Sequence, residues 1–263
     1  MNRISVAIDG PSGAGKSTIA RAAAKALGFL YVDTGALYRA IGLAVCRKGY
    51  DALDREEVIS VLPEIQVELR YLLDMQRVIL NGEDVSDLIR TPQIAQFASR
   101  VSAVPEVREF LLDLQRDMAA RNSVVMDGRD IGTVILPHAE VKIFLTASAE
   151  KRAERRCAEL REKGQDATLS QVLADMAKRD ALDAARAVAP LRQAEDAVLV
   201  DTSNLTLDES IQTVLRIIRK AQQYVQAHIE EKLTVATVAE QVGISASYLT
   251  ALFHKHLAFS PGE

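Results

Sequence analysis

With 263 residues and 28.8 kDa, the chain has room for one large domain or two ordinary ones, since domains run to about 150 residues. A composition that is 48% hydrophobic, 26% charged and 5% aromatic, without Trp, excludes a disordered chain or a small disulfide-stapled scaffold. A net charge of −4 and a pI near 5.7 speak against a globally basic nucleic-acid binder, although arginines gathered in one pocket still suit a phosphate substrate.

Cys46 and Cys157 lie far apart without CxxC or Cys/His partners, so reduced thiols in a cytoplasmic protein are expected. Residues 1–9 alternate polar and apolar, and no apolar run reaches membrane-spanning length. Neither a signal peptide nor a membrane span is predicted.

In chain order, residues 4–9 (ISVAID) read as a short β-branched strand that ends at Gly10-Pro11, and a run rich in Ala, Arg and Lys follows over 17–27. That is strand, glycine loop, helix. The loop Gly10-Pro11-Ser12-Gly13-Ala14-Gly15-Lys16-Ser17 matches G-x-x-x-x-G-K-[ST] in the context its mechanism requires. Backbone N–H groups turn inward onto phosphate oxygens, and the helix behind them adds the positive end of its dipole. Lys16 would bridge the β- and γ-phosphates and the Ser17 hydroxyl would ligate Mg2+, with Thr18 completing the ATP-binding set. The motif names a nucleoside triphosphate without naming the reaction.

A second strand is predicted at 29–32, and Asp33-Thr34-Gly35-Ala36-Leu37-Tyr38-Arg39 then places Arg39 near the carboxyl edge of the sheet. Between residues 65 and 85 two short runs lead to the turn dipeptide Asn81-Gly82, which predicts a small antiparallel excursion in an inserted subdomain. Over 105–118, Val107, Phe110, Leu111, Leu114 and Met118 repeat at helical spacing and leave Arg108 on a different part of the surface. Further strands are predicted at 123–126, 141–145 and 197–201, separated by helical segments. The expected fold is α/β, a parallel sheet flanked by helices as in P-loop NTPases.

Met126-Asp127-Gly128-Arg129-Asp130 supplies a Walker-B-like carboxylate and an Arg/Asp pair behind it. Arg152, Arg155 and Arg156 share a helical stretch over 149–164, followed by Arg161 and interleaved with Glu150, Glu154 and Glu159. Arg179, Asp183 and Arg186, at i, i+4 and i+7, are predicted on one helix face. By spacing alone that face also suits a solvated salt-bridge ladder.

Together, GPSGAGKST, DTGALYR, DGRDIGT and RDALDAARAVAPL resemble bacterial cytidylate kinases over about residues 3–220. The resemblance implies a nucleoside monophosphate kinase fold in residues 1–220, with a small monophosphate-binding insert over about 40–120 and a lid over about 149–165. It implies transfer of a phosphoryl group from ATP, with Mg2+, to CMP or dCMP. By the same resemblance Arg39, Arg129 and Arg186 hold the acceptor phosphate with Thr34 beside them, and Ser99, Arg108 and Asp130 read cytosine. Asp183 and Arg179 meet the sugar, and Arg155 or Arg156 reaches ATP from the lid. Lys16, Arg129, Arg179 and Arg186 are then the groups that stabilise the transferring phosphoryl. Asp130 suits the N4 amino group of cytosine, where uracil would present an oxygen. For Ser99 and Arg108 an ordinary place on a helix surface is the alternative. Leu182, Ala184 and Ala185 depart from the family pattern beside the sugar-binding residues. No general base is assigned, because the acceptor phosphate is already ionised. His138 is predicted to be exposed rather than catalytic.

After a helix over 207–220, residues 221–263 resemble the first helix-turn-helix of an AraC-type transcription regulator, with Gly243 at the turn and Ser247–Leu249 entering a second helix. An all-helical extension is expected there. It offers no basic surplus, so a nucleic-acid partner is disfavoured and this segment is its one route. The chain is expected to act as a monomer on small-molecule substrates. The alternatives are a nucleotide-sensing regulator, or a kinase for another acceptor such as UMP.

Overall fold

The computed structural model describes residues 3–73, 75–162 and 164–227. Strand β1 (Ser5–Asp9) leads through the glycine loop into α1 (Lys16–Leu27), and β2 (Leu30–Asp33) leads into α2 (Thr34–Lys48). The chain then leaves the sheet through α3 (Arg55–Val61), β3 (Val67–Leu72), β4 (Met75–Leu80), β5 (Glu83–Asp84), α4 (Pro92–Val101) and α5 (Pro105–Arg121). It returns as β6 (Val124–Gly128) and β7 (Val141–Thr146), and passes through α6 (Ala149–Glu162) and α7 (Leu169–Ala184). It ends on β8 (Val198–Asp201) and α8 (Leu207–Ala227).

All five strands of the main sheet are parallel, in the order β2-β6-β1-β7-β8. The central strand explains why. Val6 and Ile8 of β1 pack on one face against Ile19, Ala23, Val214 and Ile218 of α1 and α8, while Ala7 faces Met126, Ile131 and Ile135 on the other. A strand buried on both faces reads as a continuous apolar run, as ISVAI does. Each predicted strand lies close to its observed bounds. The antiparallel excursion is the sheet β3-β4-β5, in which Asn81-Gly82 joins β4 to β5.

The excursion has a core of its own. Leu37, Ile41 and Val45 of α2 pack with Val78, Ile89, Ile94, Val107 and Leu111. Its tightest contact is helix on helix at Gly42, where a Cβ would stand 2.9 Å from the Ala98 nitrogen and 3.0 Å from the Phe97 Cβ.

Two expectations need correction. Helix α7 ends at Ala184, so Arg186 lies beyond it and not on the same helix face as Arg179 and Asp183. The chain turns there because the Leu191 N–H donates back to the Asp183 carbonyl at 2.8 Å and Ala189 adopts a left-handed φ of 52° ahead of Pro190. Arg108 is not on the surface. It is 8% exposed, because Asp130 neutralises it and the Tyr38 ring lies 5.5 Å below its guanidinium. Helix α8 runs unbroken through Lys220 to Ala227, and the helix-turn-helix pattern past it lies outside the described residues. Among the described residues no helix is long and apolar enough to cross a membrane.

Gly42→Ala sets a gain in helix propensity of about 1 kcal/mol against overpacking of about 1–3 kcal/mol. Because the clash is with backbone, overpacking wins, and denaturant unfolding is expected to show a net loss of up to about 2 kcal/mol.

Candidate active site

The carboxyl ends of β1, β2 and β6 meet at one edge, where open parallel sheets bind ligands. From β1 the chain enters the glycine loop so close to β7 that a Cβ on Gly10 would lie 1.9 Å from the Leu145 carbonyl oxygen. The Lys16 ammonium folds onto the Pro11 carbonyl at 2.7 Å and is 5% exposed. Burial, then the positive charge of Arg129, push its pKa well below the usual lysine value. An incoming polyphosphate supplies the countercharge that this site lacks.

Ser17 donates to Asp127 Oδ2 at 2.8 Å, Tyr31 donates to Asp127 Oδ1 at 2.9 Å, and Thr34 donates to the Asp127 carbonyl at 2.8 Å. Burial, then the nearby charge of Asp33, raise the Asp127 pKa. Ser17 and Thr18 are exposed at the mouth. A hydroxyl and a carboxylate in contact beside the loop are the hard oxygen donors that Mg2+ takes together with phosphate and water, so the donor set fits that ion.

Arg129 donates through Nε to Asp183 Oδ2 at 2.8 Å, while Arg186 bonds Asp183 Oδ1 and reaches the Ser102 hydroxyl at 2.9 Å. Burial alone would raise Asp183, yet the guanidiniums of Arg129 and Arg186 hold it below the ordinary carboxylate value. Arg179 stands 3.5 Å from the Ser12 hydroxyl, and burial followed by the charges of Arg129, Arg39 and Arg156 lowers its pKa. Arg39 pairs with Asp33 at 3.9 Å, as does Arg90 at 3.4 Å. Lys16, Arg39, Arg129, Arg179 and Arg186 thus lie within electrostatic reach of one another along the cleft at this sheet edge, and Thr34 bonds the Asp127 carbonyl at the same strand ends.

Beside this cleft Arg108 and Asp130 form a buried ion pair, and Arg108 also donates to the Ser102 carbonyl at 3.0 Å. Ser99, half-buried on α4, contributes its carbonyl, which accepts from the Ser102 hydroxyl at 2.9 Å. The arginines of α6 divide. Arg155 is tied to Thr202 at 2.9 and 2.6 Å, and Arg156 pairs with Glu159 one turn on. Arg152 is the one bonded to the phosphate loop, donating to the Ser12 carbonyl at 2.9 Å and to Asp180 at 2.5 Å. Asp180 in turn accepts from the Ser12 N–H at 3.1 Å.

Sequence reasoning missed Arg152, Asp180, Ser102 and Asp9. Asp9 accepts from the backbone N–H groups of Ile131 and Gly132 at 2.8 and 2.7 Å and so anchors the turn that follows Arg129-Asp130. Its signal was position, the last residue of a strand before the glycine loop. Arg152 lies one turn ahead of Arg155 and was available by spacing. Ser102 carried no signal. His138 is exposed, as expected.

Residues 6–220 match the family model described as cytidylate kinase. A protein of that name from Caldicellulosiruptor saccharolyticus is 49% identical over 220 residues, 84% of this chain and 97% of its own length. Another from Caldanaerobacter subterraneus subsp. tengcongensis is 51% identical over 217 residues, 82% of this chain and 95% of its own.

Arg108→Met would leave Asp130 buried without its partner, at a cost of about 3–5 kcal/mol. Arg108→Met/Asp130→Leu is expected to recover most of that loss in denaturant unfolding, since both buried charges are then gone. Burial pushes the Asp9 carboxyl from 3.8 up to about 6, against the pull of the two backbone N–H groups. The folded state therefore holds its proton more tightly than the unfolded state. The resulting stability is complete below about pH 4 and is lost as pH rises through about 6, on the order of 3 kcal/mol. Unfolding followed from pH 4 to 7 should show this loss in the wild type and not in Asp9→Asn.

Proposed function

The chain belongs to the cytidylate kinase family, and from that premise we propose how its residues divide the transfer of a phosphoryl group from ATP to CMP and dCMP. The glycine loop from Gly10 to Ser17, with Thr18, takes the ATP polyphosphate, Lys16 bridges its outer phosphates, and Ser17 with Asp127 holds Mg2+. When bound, Mg2+ neutralises developing charge on the phosphate oxygens. Arg39, Arg129 and Arg186 grip the acceptor phosphate beside Thr34, Arg179 and Asp183 face the sugar, and Ser99, Arg108 and Asp130 read the base.

One observation supports this reading above the rest: the half-buried Arg129 and Arg186 are both held by Asp183, and Arg129 adjoins Asp130 of the buried Arg108–Asp130 pair. A phosphate grip next to a donor–acceptor pair suits a monophosphate with a base attached, and Asp130 accepts from an amino group that uracil lacks. Transfer needs alignment and charge neutralisation, with no side chain acting as a base. Arg152, bonded to the loop, extends the lid role first given to Arg155 and Arg156.

The insert over about 40–120 carries a hydrophobic core of its own and α6 and α7 share another, which supports reading these segments as monophosphate-binding and lid parts of a domain over 1–220. Two free cysteines are consistent with a reducing, cytoplasmic setting. The regulator alternative has only the sequence pattern of residues 221–263 behind it, and the family match ends at residue 220.

ADP release by the full chain with Mg·ATP is expected with CMP and dCMP, and far more weakly with UMP, AMP and GMP. Asp130→Asn, folded by circular dichroism, should lose about 10- to 100-fold in kcat/KM for CMP, the worth of one base contact. Equal turnover of UMP and CMP by the wild type would remove Asp130 from the base-reading role.

A further inference from the structure

Six residues, Arg186, Asp183, Arg129, Asp130, Arg108 and Ser102, close into a ring of bonds. Arg186 bonds Asp183, Asp183 accepts from Arg129, and Arg129 adjoins Asp130 along the chain. Asp130 pairs with Arg108, Arg108 donates to the Ser102 carbonyl, and the Ser102 hydroxyl accepts from Arg186. The same hydroxyl donates to the carbonyl of Ser99, which hangs on the ring as a branch. Two charged groups thus share the ring, a pair that faces the base and a triad that faces the phosphate. They are joined on one side by the Arg129–Asp130 peptide and on the other by Ser102.

We propose that Ser102 is a positioning residue that couples recognition of the base to the grip of Arg186 on the acceptor phosphate. The inference rests on the assignment of Arg108 and Asp130 to the base and of Arg186 to the phosphate. Ser102 suits the task because none of its polar atoms is free to wander. It caps the end of α4, its N–H bonds the Ala98 carbonyl at 3.0 Å, and it is 6% exposed. Its hydroxyl hydrogen is committed to Ser99, so a lone pair is left facing Arg186. Among the described residues, Asp183 and Ser102 are the only side chains bonded to Arg186.

Asp183 lies three positions before Arg186 on the same segment and can move with it. Ser102 lies on another element, so it fixes Arg186 relative to the insert. A base that displaces the Arg108–Asp130 pair pulls on the Ser102 carbonyl, and the hydroxyl of the same residue carries that displacement to Arg186. A mismatched base would then lose turnover as well as affinity.

The test compares the full-length enzyme with Ser102→Ala and Ser102→Thr, using CMP and UMP as acceptors, with Mg·ATP dissociation constants and Tm measured alongside. Ser102→Ala is expected to raise KM for CMP about ten- to a hundred-fold, the worth of one hydrogen bond to a charged group. The CMP-over-UMP ratio in kcat should shrink while Mg·ATP affinity stays within about two-fold of wild type. Ser102→Thr, which restores the hydroxyl, should return KM to within about three-fold. A KM for CMP within two-fold of wild type in Ser102→Ala overturns the proposal. So does a loss of Mg·ATP affinity in step with CMP, which marks a general structural defect. Absence of CMP turnover by the unaltered enzyme would instead overturn the site reading, and the coupling with it.

Discussion

Lys16, Arg39, Arg108, Arg129, Arg179 and Arg186 are drawn below or near the protein surface at one edge of a sheet, and they repel one another. Two like charges about 4 Å apart at an effective dielectric of 20 oppose each other by about 4 kcal/mol. A group of this size holds together because carboxylates are interleaved with it: Asp183 between Arg129 and Arg186, Asp130 against Arg108, Asp33 against Arg39 and Asp180 against Arg152. The compensation is incomplete at Lys16, Arg179 and Arg186, whose charged forms their surroundings disfavour. Two of the three border the glycine loop, Lys16 through the Pro11 carbonyl and Arg179 through the Ser12 hydroxyl, so unmatched positive charge lies against that loop.

The scaffold exists to place these carboxylates. Asp9, Asp33 and Asp127 end three adjacent parallel strands, and parallel registry brings the strand ends to one edge without any loop having to reach across. Asp9 then holds the turn after Asp130, Asp33 caps α2 by accepting the Ala36 N–H at 3.0 Å, and Asp127 receives Ser17 and Tyr31. Each carboxylate fixes a backbone segment or a hydroxyl while supplying negative charge to the cleft. The insert is anchored to the same edge. Gln76 of β4 makes paired bonds with the Asp33 backbone at 2.8 and 3.2 Å, and the Tyr71 hydroxyl bonds the Tyr31 carbonyl at 3.0 Å.

The five strands and the glycine loop were legible in the sequence because their signals are local: short β-branched runs, a glycine spacing, a helix behind it. Arg39, Arg129, Arg179 and Arg186 were legible through their motifs, and they converge. The register of partners was not legible. Helical spacing placed Arg186 on α7, but the hydrogen bond from Leu191 back to Asp183 ends that helix early, a contact made by residues downstream. Arg108 read as a surface residue because a guanidinium off the apolar stripe is normally solvated; its partner Asp130 lies 22 residues away on another element. Ser102 makes its contacts through one hydroxyl and one carbonyl, which leave no pattern in a sequence.

Helix α7 shows how donor and acceptor halves are held in register. Met176 packs over Gly13, where its Cε would stand 2.7 Å from an added Cβ. Arg179 faces the Ser12 hydroxyl, Asp180 takes the Ser12 N–H, and Asp183 holds Arg129 and Arg186. These positions, at i, i+3, i+4 and i+7, form one stripe on one helix. A rigid helix that touches the glycine loop at one end and Arg129 and Arg186 at the other fixes the distance between loop and arginines more firmly than two independent loops could. The same stripe carries an apolar side chain, Met176, against Gly13 of the loop. Contact with the loop and the hold on the arginines thus come from one element, and moving α7 away would release both together.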